Sequence, residues 1–173
     1  MNENFPQELL NKMADIEYGW MDKNFNIHKE NKSLFSDSYV LQSFEQISKN
    51  KFGICWDQVE YEREFFSDNK YKYETYFIVW YNGDDCPTHT FLIYNQDTDW
   101  YWFENSWKIN RGIHRYNSKN ELLLDVRSKF ITELCDFDSN FMNLCLYKYS
   151  KPKNGIKPLE FFKHAESGEN III

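Results

Sequence analysis

The stretch from Tyr73 to Asn105 limits the fold more than any other part of the chain. Tyr73 to Tyr81 reads Tyr-Glu-Thr-Tyr-Phe-Ile-Val-Trp-Tyr. It is aromatic and β-branched on both faces, the pattern of a central strand covered on two sides. Asn82-Gly83-Asp84-Asp85 turns the chain. Thr88 to Tyr94 follows as a second strand, Asn95 to Thr98 as a turn and Asp99 to Asn105 as a third strand. Strands joined by turns this short pair antiparallel. Upstream the period is helical. Pro6 to Ile16 carries Leu9, Leu10, Met13 and Ile16 on one stripe. A second helix starts near Ser36 or Asp37 and runs through Tyr39, Val40, Phe44 and Ile47. Asn50 to Gly53 breaks it, and a third helix runs from about Ile54 to Phe66. Downstream, residues 118–133 form a helical stripe, Phe141 to Tyr149 a strand and Pro152 to Pro158 a loop. Helices followed by an antiparallel meander place the chain in the α+β class.

With 173 residues, 6 glycines and 4 prolines, no repeat and no linker, residues 1–173 read as one domain. The net charge of −7 argues against a general grip on nucleic acid or on anionic membrane. No window is apolar enough to span a bilayer, and the start has no secretory pattern. A cytoplasmic location with reduced cysteines is therefore expected. Cys86-Pro-Thr-His89 has the spacing of half a zinc site, but the other half would have to come from scattered residues. No metal or organic cofactor is expected.

Cys55 carries the chemistry. It follows Gly53 at the first turn of a helix, where the exposed backbone N–H groups favour a thiolate and its own N–H can face an oxyanion. His89 shares strand parity with Phe91 and Ile93. If the next turn uses an even loop, Gln96-Asp97 or Asn95 to Thr98, then Ile93 faces Trp100, Phe91 faces Trp102 and His89 faces Glu104. A carboxylate there fixes the tautomer of the imidazole and stabilises its protonated form. An odd loop would bring Asn105 opposite His89 instead. The even loop is preferred, which favours Glu104 as the third member.

Three blocks, Lys51-Phe-Gly-Ile-Cys-Trp-Asp-Gln58, Pro87-Thr-His89-Thr-Phe and Trp100-Tyr-Trp-Phe-Glu104-Asn-Ser-Trp107, resemble the transglutaminase-like superfamily, a branch of the papain-like cysteine proteinase fold. The likeness is to its small bacterial members and covers about residues 35–110. It implies a helix bearing the nucleophile packed on an antiparallel sheet, with Cys55 as nucleophile, His89 as base and acid and Glu104 as orienting carboxylate. The family usually has Asp where this chain has Glu104, and Asn105-Ser106-Trp107 echoes the Asn-Ser-Trp of papain-type proteases. The expected activity is acyl transfer on a carboxamide or peptide bond through a Cys55 thioester, by hydrolysis or transamidation. Its substrate would be a protein, a peptide or a small amide. A catalytically silent module that binds a peptide or glycan is the alternative.

Trp20 and Gln58 are candidates for the second oxyanion donor, and Trp56 for lining the site or packing the helix on the sheet. The tryptophans of the third strand are read as cross-strand packing, His114 as a surface residue in a turn, and the Glu60–Glu64 run as a solvated helix face.

Overall fold

The computed structural model describes residues 4–29, 35–83, 86–134 and 143–173. The N-terminal part is helix and short ladder: α1 (Phe5–Lys12), β1 (Trp20–Met21), β2 (Ile27–His28), α2 (Phe35–Ser38) and α3 (Phe44–Asn50). Then come α4 (Cys55–Asp68) and the meander β3 (Lys72–Trp80), β4 (Thr88–Gln96), β5 (Asp99–Glu104) and β6 (Gly112–Tyr116). α5 (Lys119–Leu134), β7 (Leu144–Lys148), α6 (Pro158–Glu166) and β8 (Glu169–Asn170) complete it. Six strands form one antiparallel sheet in the order β6-β5-β4-β3-β7-β8, and β1 and β2 pair separately. The α+β class is as expected.

Alternation along the strands sorts the side chains into two cores. Phe77 and Val79 of β3, with Leu92 and Tyr94 of β4, face the layer of α1, α3, α4 and α6. Tyr76, Ile78, Phe91, Ile93 and Trp102 face α5 through Leu122, Leu123, Val126 and Phe130. The run from Tyr73 is thus apolar on both faces because β3 is covered on both. Among the described residues no helix is long and apolar enough to cross a membrane.

The β4–β5 register differs from the expectation. The loop is two residues, Asp97-Thr98, so Gln96 faces Asp99, Ile93 faces Trp102 and Leu92 faces Phe103. Asp97 takes a left-handed φ of 55°, which aspartate tolerates. This register stacks Tyr94 on Tyr101 at 5.0 Å and sets Leu92 and Phe103, both buried, side by side in one core. The shift is by two residues, so facial parity is unchanged.

The single helix expected over 36–47 is two. Backbone groups between them bond elsewhere: Val40 N–H to Met21 O, Leu41 N–H to Ile156 O and Gly155 N–H to Leu41 O. α3 is capped by Ser43, not by Ser36 or Asp37. The Ser43 hydroxyl accepts from Gln46 N–H, and the Gln46 side chain accepts from Ser43 N–H. Residues 112–116 are a strand, not a turn. His114 pairs with Trp102 and stacks on its ring at 4.8 Å, so it is half-buried. α6 and β8 were not anticipated. Pro158 opens α6, Glu160 accepts from Lys157 N–H at 2.9 Å, and Phe161 stacks on Trp56 at 4.3 Å. Of the closing isoleucines, Ile171 donates its N–H to Leu146 O and, with Ile173, packs on the α5-side core. The expected strand over Phe141 to Tyr149 is found as β7; residues 141 and 142, like Asp84 and Asp85, lie outside the described residues.

The Glu60–Glu64 run is not a solvated face. α4 lies between the sheet and the outer helices, and Glu60, Glu62 and Arg63 are all buried. Arg63 grips Glu60 through two nitrogens at 2.8 and 3.2 Å and also donates to Thr75 Oγ1, while Tyr149 donates to Glu60 at 3.1 Å. Glu60 and Arg63 are thus paired, the condition under which burial of a charge is tolerable.

Candidate active site

The entry into α4 is built around Asp57. Its buried carboxylate accepts from Ile54 N–H at 3.1 Å, Gln42 N–H at 2.9 Å and the Tyr39 hydroxyl at 3.0 Å. Burial outweighs these bonds and pushes the Asp57 carboxyl up to about 7. Gly53 is required by the same contact, because a Cβ there would sit 2.9 Å from Asp57 Cβ. These restraints fix Cys55 as the first residue of the helix, with its backbone N–H beyond the reach of intrahelical acceptors. Cys55 is 4 % exposed.

His89 and Glu104 come from adjacent strands. Carried past its last recorded pair, the register sets Glu104 beside Phe91, so the contact with His89 is diagonal rather than direct. The glutamate spans the diagonal: its Oε2 lies 2.8 Å from His89 Nε2. The other oxygen accepts from Ser106 Oγ at 3.0 Å and from Trp107 N–H at 2.8 Å, which anchors the carboxylate. The imidazole also has a hydrogen-bonding interaction with the Cys55 side chain. Burial disfavours the imidazolium, but the Glu104 charge and the hydrogen bonding to Cys55 and Glu104 outweigh it and raise His89 to about 10. The structure thus brings Cys55, His89 and Glu104 together in that order.

Asn105 does not join them. Its amide donates to Gln58 Oε1 at 2.7 Å and to Met13 O, while its carbonyl accepts from Arg111. Gln58 is likewise committed, its amide donating to Gly53 O at 2.8 Å. Trp56 donates to Thr88 Oγ1 at 3.2 Å and packs on Phe161, which makes it a helix–sheet contact. Trp20 is held by His28 and Phe35. Cys86 Sγ faces Gly83 O and His89 faces Glu104, so the zinc half-site is not assembled; among the described residues no group of three or more His, Cys, Asp or Glu side chains is placed to hold a metal.

Sequence reasoning missed three neighbours. Tyr18 interacts with both the thiol and the backbone N–H of Cys55. Glu62 is buried with Oε2 unpartnered. Burial first, then the nearby Glu104 charge, push its carboxyl well above the carboxylate range, which leaves the site's negative charge to Glu104. Trp107 meets the His89 ring edge to face at 5.0 Å. A cavity of about 920 Å³ opens beside His89, lined in part by Tyr18, Thr88, Trp107, Phe130 and Leu134. None carries a sequence signal: each reaches the site through tertiary packing.

No protein-family model matches the chain, and no curated protein sequence matches it.

Proposed function

We propose that this protein is a thiol-dependent acyl-transfer enzyme acting on a carboxamide or peptide bond, with Cys55 as nucleophile, His89 as base and acid and Glu104 as the orienting carboxylate. One observation carries the reading: a buried imidazole lies between a cysteine at a helix N-terminus and a carboxylate 2.8 Å from its Nε2. The α+β architecture, with its helix packed on an antiparallel sheet, is compatible with the transglutaminase-like and papain-like resemblance of the three blocks.

In the proposed reaction the Cys55 sulfur attacks the carbonyl carbon as the C=O electron pair moves to oxygen. Collapse of that intermediate breaks the C–N bond, and His89 gives its proton to the departing amine. Water, deprotonated by His89, then attacks the thioester and expels the thiolate. Hydrolysis is the expected outcome because water is always present; an amine in its place gives transamidation.

The test is the pH dependence of Cys55 alkylation by iodoacetamide, read by peptide mass spectrometry in wild type and His89→Ala. Labelling should be fast below about pH 7, where an ordinary thiol of pKa ~8.5 is mostly protonated, and should slow in His89→Ala while Cys86 and Cys145 are unchanged. Equal, slow labelling in both proteins overturns the enzymatic reading and leaves a binding module on the same fold.

A further inference from the structure

Cys55 is nearly closed off, yet it does not line the cavity; Tyr18 does, together with His89. Tyr18 is held there by backbone. Glu17 bridges in parallel to Phe52, Glu17 N–H donates to Lys51 O and Gly53 N–H donates to Glu17 O. Glu17 is therefore stapled to residues 51–53, just ahead of Cys55. Gly19 fits tightly at this junction, since a Cβ would meet His28 O and the Phe52 ring at 3.0 Å. From this rigid base Tyr18 stands in the cavity wall with His89, close enough to Cys55 for the charge of the thiol to act on its phenol. Of the side-chain donors suggested by sequence, Gln58 is committed to Gly53 O and the Trp20 ring is stacked on His28.

We propose that Tyr18 is a catalytic residue whose phenol O–H is the second donor to the oxyanion, beside the Cys55 backbone N–H. This rests on the acyl-transfer reading above. The residue is 46 % exposed, so it has room to give way as the carbonyl enters and then to donate to the oxygen as negative charge develops. The Cys55 charge, then burial, then hydrogen bonding to the thiol hold the phenol well above its ordinary range, so it keeps the proton it has to donate.

Two probes separate this role from simple packing. p-Nitrophenyl acetate acylates a thiol through a tetrahedral oxyanion, with loss of p-nitrophenolate. Iodoacetamide alkylates it by displacing iodide at a saturated carbon and forms no oxyanion. In Tyr18→Phe, which keeps the partly exposed ring, acylation of Cys55 should fall by about 10²-fold or more, while alkylation holds or quickens as the cover loosens. Both rates changing alike, or acylation quickening, overturns the proposal. The two failures are distinguishable: if His89→Ala leaves wild-type alkylation unaltered, the acyl-transfer reading itself falls. If that dependence holds but Tyr18→Phe keeps the ratio of the two rates, only the role of Tyr18 falls.

Discussion

The distance between His89 and Glu104 explains why this position holds a glutamate. The two residues are diagonal across the β4–β5 pair, where Cβ atoms lie farther apart than in a direct pair, and the extra methylene closes the gap to 2.8 Å. Glu104→Asp should therefore fail where conservative replacement usually succeeds. The shorter carboxylate keeps its charge but loses the imidazole, and Glu104→Gln keeps the length but loses the charge. In either variant the His89 titration, followed by NMR, should fall from about 10 by about 1–3 pH units, and alkylation of Cys55 at pH 7 should slow with it. A titration left near 10 in both variants would show that another group holds the proton. That His89 and Glu104 share a face was legible in the sequence, because every even loop keeps parity; the direct pairing expected of them was not found. The exact register was not legible: it depends on how Tyr94, Tyr101 and Phe103 pack, which no local spacing encodes.

At the level of elements, the strands of the meander and α4 were legible for the same reason. Each carries its own period and a break at its edge, such as Gly53 ahead of α4 and Asn82-Gly83 after β3. What escaped notice were elements whose stability is borrowed. β6 needs only β5 beside it, and α6 and β8 need only a surface to lie on. The burial of Glu60, Glu62 and Arg63 escaped too, because a charged run reads as a solvated face until something is known to cover it. The junction into α4 is the most exacting local feature. Asp57 collects three donors from two segments, and Gly53 leaves it the room to do so. Gly53→Ala should force this junction apart and cost about 1–3 kcal/mol in urea unfolding, with slower labelling of Cys55 as the helix start loosens. A variant as stable and as reactive as wild type would mean that Asp57 shifts freely.

For the molecule as a whole, the buried titratable groups predict how stability depends on pH. The folded state raises Asp57 from 3.8 to about 7, so it favours the protonated carboxyl. That stabilisation is complete below about pH 4 and is lost as pH rises through 7. Glu60 and Glu62, also raised by burial, act with the same sign. His89 is raised from 6.5 to about 10; its contribution is complete below pH 6.5 and is lost as pH rises through 10. The free energy of unfolding should therefore decline from mildly acid to alkaline pH, and the alkaline part of the decline should shrink in Glu104→Gln. A flat profile in wild type between pH 6.5 and 10 would contradict the raised imidazole.

The proposed nucleophile and its base also belong to different layers. Cys55 opens a helix, and His89 and Glu104 sit on two strands of the sheet. Neither layer alone holds the trio, so under the proposed chemistry a chain still being synthesised, or one that has lost its packing, carries only an ordinary thiol. Reactivity arrives with the docking of helix on sheet and leaves with it, which makes the nucleophile a gauge of its own assembly and keeps a half-made chain harmless to its neighbours.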